Sequence, residues 1–440
     1  MTASAHASWQ DAYAEAAARL AGQAPAARLI FTGASACVDA IFRIDAGRLA
    51  TLIAPRAASS EDDTRGAELL NRVLARITRG RGGELLTRWP AGPSWIHELL
   101  GQPERRQVGG TGPQASWALA TVGARSVLAL ADRSAEQLAV IDPRAGVCTA
   151  DAVVPAGALT PHGSPSKLPH CILEFTAGTS RDGVTVPRSS RIILRFGDEP
   201  IERDGHFLAM TPELAPSAGA GLVSGLNGPG DVNNAERDWL SALTGAWSRA
   251  GLPVIHHELA EFPTPRRLRE AARLGMVTSL GLSLSELYML TGGTGDPRRL
   301  ARAVARQCGV RRVIVHADDW ALAVHRDDPR HTEQVLLAGS AFAAARARTG
   351  RPAAILEPAP DAMYTADLPA GGPLGDGWRA TCVPAPHLRR PAGTVGLGDT
   401  FVAGLLLAES LPAAQTHDTA ENSAVSRTTR NDAPNRITQH

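Results

Sequence analysis

A glycine-rich turn near the end of the sequence carries an acid that could act on a bound phosphate. The turn reads Thr394-Val395-Gly396-Leu397-Gly398-Asp399 and leads into an apolar run with helical spacing. A helix beginning there directs free N–H groups and its positive dipole end at the space above the turn, an arrangement that favours phosphate. Asp399 then has two interpretations. It caps the helix, or it accepts the proton of a hydroxyl that attacks phosphorus.

Two further segments could bind the molecule that carries this hydroxyl. Gly109, Gly110 and Gly112 form a second glycine turn ahead of a helical pattern, so they either present N–H groups to a ligand or simply join a loop to a helix. Asp39 follows the first predicted strand closely, and ligands bind at the carboxyl ends of strands in open α/β sheets. We therefore expect Asp39 to accept hydrogen bonds from ligand hydroxyls, with a turn-forming role as the alternative.

Two glutamates follow neighbouring predicted strands. Glu258 lies in His256-His257-Glu258, and Glu286 follows the next strand. Carboxylates placed in this way can hold Mg²⁺ directly or through water, which phosphoryl transfer requires. The alternative is that both are solvated loop acids.

Apolar runs that resemble buried strands alternate with helical patterns, as expected for a parallel sheet covered on both faces. The predicted strands are 28–31, 126–131, 253–256, 276–282 and 311–316. The predicted helices are 232–250, 263–274 and 297–307. The fold class is therefore α/β, with a three-layer α/β/α large domain.

Two segments interrupt this alternation and predict a smaller, β-rich lid domain. They are residues 41–108 and 168–202, and in the second, 171–175 and 191–196 flank a polar turn in the manner of a β-hairpin. The large domain then comprises residues 1–40, 109–167 and 203–411. Residues 412–440 are polar with few large apolar side chains, so we expect a disordered tail.

The amino-acid composition limits the classes of molecule that the protein could bind. Lys plus Arg is 45 against 44 Asp plus Glu, a net charge of +1 that provides no broad field for nucleic acid or an anionic membrane. The five cysteines include no CxxC pair, and no apolar run is long enough to span a membrane. We expect a cytoplasmic protein with small-molecule partners. Patterns typical of metalloproteases, P-loop ATPases and α/β-hydrolases are absent.

Taken in order, the motifs resemble those of the ADP-dependent glucokinase/phosphofructokinase family, within the ribokinase-like superfamily, over about residues 28–405. The matching segments are 33–41, 109–112, 170–175, 187–191, 224–226, 256–260, 281–287 and 395–400. The resemblance implies phosphoryl transfer from ADP to a sugar hydroxyl, with Mg²⁺ as the cofactor. It does not indicate the oligomeric state.

The resemblance also assigns roles. Asp399 would be the base, and residues 394–398 would bind the nucleotide phosphates. Arg191, on a lid segment, would contact the reacting phosphate or the sugar side. Asp39 and the Gly109 turn would bind the sugar, and Glu258 and Glu286 would orient the waters of Mg²⁺.

The acceptor implied by the lid is glucose. Gly80-Arg81-Gly82-Gly83-Glu84 resembles the segment in which glucose-using members place a glutamate, so Glu84 would accept a hydrogen bond from a sugar hydroxyl. A carboxylate favours a neutral sugar over a sugar phosphate. The alternative is that Glu84 is a solvated residue of a basic loop.

Other functions stay open. Ser35, Cys37 and Ser283 stand where the family commonly has Asn, and Thr111 replaces Gln. These departures are compatible with a sugar- or nucleotide-binding relative that has lost turnover. The Asp399 turn alone does not distinguish ADP from ATP as the donor, and fructose 6-phosphate is the alternative acceptor.

Overall fold

The computed structural model describes residues 3–56, 59–228 and 234–412. Its helices are α1 (Ala3–Gln23), α2 (Ala46–Ile53), α3 (Glu61–Ile77), α4 (Gly92–Leu100), α5 (Thr111–Thr121), α6 (Ala135–Leu138), α7 (Gly205–Leu214), α8 (Asn234–Arg249), α9 (Pro265–Ala271), α10 (Leu284–Thr291), α11 (Pro297–Cys308), α12 (Pro329–Thr349) and α13 (Leu397–Ser410). Its strands are β1 (Leu29–Thr32), β2 (Cys37–Ile44), β3 (Gly83–Leu86), β4 (Arg105–Gly109), β5 (Ser126–Leu128), β6 (Gly146–Cys148), β7 (Val153–Pro155), β8 (His170–Phe175), β9 (Ser180–Arg181), β10 (Val184–Thr185), β11 (Ser190–Arg195), β12 (Ala218–Val223), β13 (Val254–Glu258), β14 (Ser279–Ser283), β15 (Arg312–His316), β16 (Trp320–His325), β17 (Gly372–Gly375) and β18 (Trp378–Pro384).

Eleven strands form the large sheet, in the order β17-β18-β16-β15-β14-β13-β12-β1-β5-β6-β7. The seven strands from β15 to β6 in that order run parallel, and those beyond them at either edge pair antiparallel. All five predicted strands of this sheet are present with shifted ends. Because the central strands are parallel, the carboxyl ends of β13, β14 and β15 lie side by side.

Helices cover both faces of this sheet, and side-chain alternation assigns the two cores. Phe31 lies in the core to which α8, α9, α10 and α11 contribute, whereas its neighbour Ile30 lies in the core to which α1, α5, α12 and α13 contribute. Helices α12 and α13 approach closely, since a Cβ at Gly404 would lie 2.4 Å from the Ala338 carbonyl oxygen. The predicted three-layer α/β/α architecture is confirmed.

A second, five-stranded sheet has the order β3-β11-β8-β2-β4. The predicted hairpin is its β8–β11 pair, which is antiparallel. Helices α2, α3 and α4 contribute to its separate core, around Phe42, Trp89 and Phe175. We call this unit, residues 37–109 with 170–195, the lid. It contains helices as well as the strands that the sequence pattern emphasised.

The lid sheet begins earlier than the sequence suggested, and this changes the position of Asp39. Residues 33–36 carry the chain from the end of β1 to the lid, and Asp39 then pairs within β2 with Gln107 of β4 and His170 of β8. The prediction that Asp39 lies at the carboxyl end of the first strand is therefore wrong. Gly109, assigned to the large domain, is the last residue of lid strand β4.

In the part of the chain that the structure describes, no helix combines the length and apolar character needed to cross a membrane. The predicted disordered tail, apart from Pro412, lies outside the described residues.

Candidate active site

Helix α13 begins within the glycine turn that the sequence singled out. Gly396 occupies its N-cap position with φ 72°, so Asp399 is the third residue of the helix and not its N-cap. A Cβ at Gly396 would lie 2.5 Å from Arg346 Cζ, so glycine satisfies both the positive φ and the close approach. The first-turn N–H groups, beginning at Leu397 and Gly398, have no acceptor within the helix. They are suited to an anion.

The surroundings of Asp399 raise the affinity of its carboxylate for a proton. Burial raises the pKa of its carboxyl above the ordinary range, and the Glu258 charge adds to this. The Thr111 side chain and the positive charges of Arg346 and Arg191 act in the opposite direction. Asp399 therefore lies among the glycine turn at 109–112, a lid arginine and a buried arginine.

The buried arginine, Arg346 of α12, was not predicted from the sequence. It donates to Gln114 Oε1 at 2.7 Å and to Thr400 Oγ1 at 2.9 Å. Burial lowers its pKa to about 10, while the charges of Asp399 and Asp39 raise it. Its Nη2 has no hydrogen-bond partner among the described residues. An arginine within the alanine-rich run 338–347, a segment for which the sequence analysis predicted no helix, is the signal that could have identified it.

Thr394 and Val395, which the resemblance assigns to the nucleotide site, contact the lid in the structure. The N–H and hydroxyl of Thr394 both donate to Glu174 Oε1 of β8, the hydroxyl at 3.1 Å. Val395 packs against Ile41 and Ile172 of the lid sheet. The residues preceding the helix thus anchor the glycine turn to the lid.

The second glycine turn packs against the crossover from β1 to the lid. Gly110 has φ 87°, and a Cβ there would lie 2.3 Å from Ser35 O. A Cβ at Gly112 would lie 3.2 Å from Gly33 N. Both glycines therefore allow close backbone contact, and they place Thr111 beside Asp399. The structure brings this turn and Asp399 together, as the sequence predicted.

Glu258 is buried between two histidines at the end of β13. His256 Nε2 lies 2.9 Å from its Oε2, and His316 Nε2 lies 3.0 Å from its Oε1. Burial raises the pKa of Glu258, but these two contacts outweigh it and hold the pKa at about 2. His316, at the end of β15, was missed by the sequence analysis, although its position at the end of a predicted strand was a usable signal.

Glu286 is partly buried in the first turn of α10 and is not a solvated loop acid. Its Oε2 accepts from Ser283 N at 2.7 Å, and Ser283 Oγ accepts from Glu286 N at 3.3 Å, which forms a capping box at the start of α10. Burial raises its pKa. Burial lowers the pKa of His316, but the charges of Glu258, Glu286 and Asp399 raise it above its usual value.

Asp39 lies in a polar cluster of the lid. His170 Nδ1 is 3.3 Å from Asp39 Oδ1, and its Nε2 is 2.8 Å from Glu199 Oε1. Burial opposes protonation of His170, but the surrounding acidic groups raise its pKa well above the usual value. Arg195 pairs with Glu199 and, at 2.5 Å, with Glu84 Oε2.

Glu84 and Arg191 lie on neighbouring lid strands that face the large domain. Glu84 Oε2 is also 3.3 Å from Asn227 Nδ2, and the Glu84 N–H donates to Glu261 Oε2 at 2.8 Å. Arg191 lowers the pKa of both Glu261 and Asp399. Glu84 is therefore a partly buried, paired carboxylate at the junction of lid and large domain.

A family model described as the ADP-specific phosphofructokinase/glucokinase conserved region matches residues 28–366. The chain belongs to this family. Members of this family are phosphotransferases that act on a hydroxyl acceptor. They are ADP-dependent sugar kinases and include both glucokinases and phosphofructokinases. No curated protein matches the chain.

Solved structures show that the ADP-dependent kinase fold extends over the chain. An ADP-dependent kinase in complex with fructose 6-phosphate and ADPβS has a TM-score of 0.74 at 18% identity, covering 91% of this chain and 97% of its own. The last common ancestor of ADP-dependent phosphofructokinases from Methanosarcinales has a TM-score of 0.66 at 17% identity, and the match covers 92% of this chain and 99% of that one. A phosphofructokinase from Pyrococcus horikoshii OT3 with AMP has a TM-score of 0.65 at 16% identity, and the match covers 87% of this chain and 97% of that one. The ribokinase-like fold that the motifs predicted is confirmed.

Proposed function

We propose that this protein transfers the β-phosphoryl group of ADP to a hexose hydroxyl, with Asp399 as the general base. The observation that carries this proposal is the position of Asp399 in the first turn of α13, with a raised pKa, between the charges of Arg346 and Arg191. As the sugar oxygen bonds to phosphorus, Asp399 accepts the hydroxyl proton and the bond to the AMP oxygen breaks. The products are a sugar phosphate and AMP.

Catalysis of this kind depends on positioning and on compensation of phosphate charge. The N–H groups that follow Gly396 and the Arg191 guanidinium would face the transferred group. Arg346 is enclosed by protein, so it acts on Asp399 through its charge and through its bond to Thr400.

The residues at the ends of β13 and β14 fit a hydrated Mg²⁺. Glu258 is buried and Glu286 is partly buried; the two carboxylates are close enough to affect each other, and both act on His316. Both oxygens of Glu258 already contact histidines, which suits an outer-sphere role through metal-bound waters. Mg²⁺ held in this way would supply positive charge to the phosphates.

We propose glucose, or a similar neutral hexose, as the acceptor. The cluster around Asp39 holds three carboxylates, Asp39, Glu84 and Glu199, against the two cations His170 and Arg195. The carboxylates of this cluster can accept hydrogen bonds from neutral hydroxyls and would repel a second phosphate. Fructose 6-phosphate, which the similar ADP-dependent kinase binds, is the competing acceptor.

The decisive experiment measures product formation by the purified full chain, with ADP and ATP each crossed with glucose and fructose 6-phosphate, with and without Mg²⁺. AMP and glucose 6-phosphate should form from ADP and glucose only when Mg²⁺ is present. Turnover with ATP but not ADP would refute the donor assignment. Binding of ADP or glucose without product in any combination would instead support a binding protein that has lost turnover.

A further inference from the structure

Cys37, Asp39 and His170 place three potential metal-binding atoms together in the lid. Residues two apart on a strand share a face, so Cys37 and Asp39 of β2 point to the same side. Strand β8 runs parallel to β2 with His170 in register with Asp39. The three side chains are largely buried, and their donor atoms all lie within 4.8 Å of one another.

The spacing of these atoms fits three vertices of a tetrahedron around zinc. Cys37 Sγ is 3.4 Å from His170 Nδ1 and 3.7 Å from Asp39 Oδ1, and the latter two atoms are 3.3 Å apart. Zinc bonds of about 2.3 Å to sulfur and about 2.0–2.1 Å to nitrogen or oxygen place tetrahedral donors about 3.3–3.6 Å apart. The side chains therefore need little rearrangement to enclose an ion.

The second nitrogen of His170 is held as metal-binding histidines require. Its Nε2 lies 2.8 Å from Glu199 Oε1, and Glu199 is itself paired with Arg195. A carboxylate on the far nitrogen fixes the orientation of a histidine ligand and raises its basicity. Gly109 leaves room beside the Asp39 and Cys37 side chains, since a Cβ at this position would lie 2.2 Å from Asp39 Oδ1 and 2.6 Å from Cys37 Sγ.

We propose that Cys37, Asp39 and His170 bind a thiolate-preferring divalent ion of the Zn²⁺ class, separate from the Mg²⁺ at Glu258 and Glu286. A sulfur, nitrogen and oxygen donor set selects zinc over magnesium, which prefers oxygen alone. The fourth position is left to water. Because the ion occupies Asp39, it competes with the sugar for that carboxylate, and this last consequence rests on the proposed function.

The test titrates the full chain with Co²⁺, a spectroscopic probe of zinc sites, and then displaces it with Zn²⁺. Wild type should develop a thiolate-to-cobalt charge-transfer absorption that Zn²⁺ abolishes. Cys37→Ser should lose this absorption, whereas Cys171→Ser should keep it because Cys171, the next residue on β8, is buried in the lid core. Absence of the absorption from wild type, or its persistence in Cys37→Ser, would overturn the site.

A second variant distinguishes loss of metal binding at the site from loss of the folded structure. Glu199→Gln retains all three ligands but weakens their orientation, so Zn²⁺ affinity should fall roughly 10–100-fold, with folding checked by circular dichroism. Unchanged affinity in a folded Glu199→Gln protein counts against the arrangement.

The kinetic consequence is measured separately. At saturating Mg²⁺, Zn²⁺ should raise the sugar KM without lowering kcat in wild type and should have a much smaller effect on Cys37→Ser. Equal inhibition of both proteins would overturn the competition. Metal binding is read without turnover, so an enzyme inactive toward every sugar would refute the proposed function and leave the metal site standing.

Discussion

At the scale of single residues, the Asp399 carboxyl is the group on which the proposed chemistry depends. Asp399→Asn should lower kcat by on the order of 10²–10⁴, because asparagine cannot accept the hydroxyl proton. Steady-state kinetics with ADP and glucose, together with a thermal melt, checks this. Asp361→Asn, at an exposed position, is the matched control and should match wild type. Turnover near the wild-type rate in a folded Asp399→Asn protein would exclude Asp399 as the base.

Arg346 is predicted to control the pH range over which Asp399 works. The pKa of Asp399 is already raised by burial and is held down partly by the Arg346 charge. Removal of that charge in Arg346→Met should raise the pKa further, so the acid limb of the kcat/KM profile should move to higher pH. Arg346→Lys retains the charge and should move it less.

The pH–rate profiles of these variants give the measurement. Arg330→Met, at an exposed site near the start of α12, controls for loss of an arginine from the same helix. An acid limb that stays in place in folded Arg346→Met would show that Arg346 is only structural.

At the scale of elements, the adjacent ends of parallel strands β13, β14 and β15 gather the proposed metal-orienting groups. Neutralising the carboxylate in Glu258→Gln should increase the Mg²⁺ concentration needed for half-maximal activity while the sugar KM at saturating Mg²⁺ stays unchanged. Mg²⁺ titrations of initial rates measure both quantities. The exposed Glu333→Gln serves as the control. Activity that resists a chelator, or an unchanged Mg²⁺ dependence, would contradict this role.

Lid strand β3 contributes the residue proposed to recognise the sugar. Glu84→Ala should reduce kcat/KM for glucose about 10-fold or more, since a buried hydroxyl that loses a charged partner costs roughly 1.5–3 kcal/mol. Glu68→Ala, at an exposed position of lid helix α3, should have no such effect. Because Glu84 also pairs with Arg195, Glu84→Gln is needed to separate charge from packing. Unchanged glucose kinetics, or a wild-type preference for fructose 6-phosphate, would reject the specificity.

At the scale of the whole molecule, the lid and large domain meet at the glycine turn that precedes Asp399. Glu174 of β8 accepts from Thr394, and Ile41 and Ile172 pack on Val395. The position of Asp399, a few residues later, therefore depends on both units. For the proposed reaction, docking of the lid would exclude water from this site and so limit hydrolysis of the donor.

The large domain contains a buried ion pair on which its stability should depend. Arg312 of β15 bonds to Glu409 of α13, and His331 of α12 lies 3.0 Å from the same carboxylate. Burial raises the pKa of Glu409, but these partners hold it at about 2. Glu409→Gln should lower the free energy of unfolding by about 3–5 kcal/mol at neutral pH, since Arg312 then lacks its partner.

The pH dependence of the free energy of unfolding follows from the direction in which the Glu409 pKa is shifted. A lowered carboxyl pKa stabilises the fold above the ordinary glutamate value of about 4.3, and the stabilisation is lost as the pH falls toward about 2. Denaturant unfolding of wild type and Glu409→Gln should therefore differ at pH 7 and converge in acid. The exposed pair in the control Glu61→Gln should contribute less than about 0.5 kcal/mol. A constant difference between the proteins across pH would contradict the argument.

Much of the fold was determined by local pattern. Apolar runs such as 311–316 predicted strands, amphipathic runs such as 297–307 predicted helices, and alternation of the two predicted a parallel sheet with helices on both faces. The Asp399 turn was recognisable because a glycine with positive φ and the start of a helix are encoded by adjacent residues. Strand ends also predicted that Glu258 and Glu286 would be neighbours, since parallel strands align their carboxyl ends.

Only the tertiary structure decided which distant residues meet. Arg346 reaches the Gly396 turn because α12 and α13 pack closely, and His170 reaches Cys37 and Asp39 because two lid strands align in register. Side-chain periodicity reports only whether a residue is buried or exposed, not which residue lies opposite it. Asp39 was therefore placed on the wrong sheet, since nothing local showed that residues 33–36 cross from the large domain into the lid.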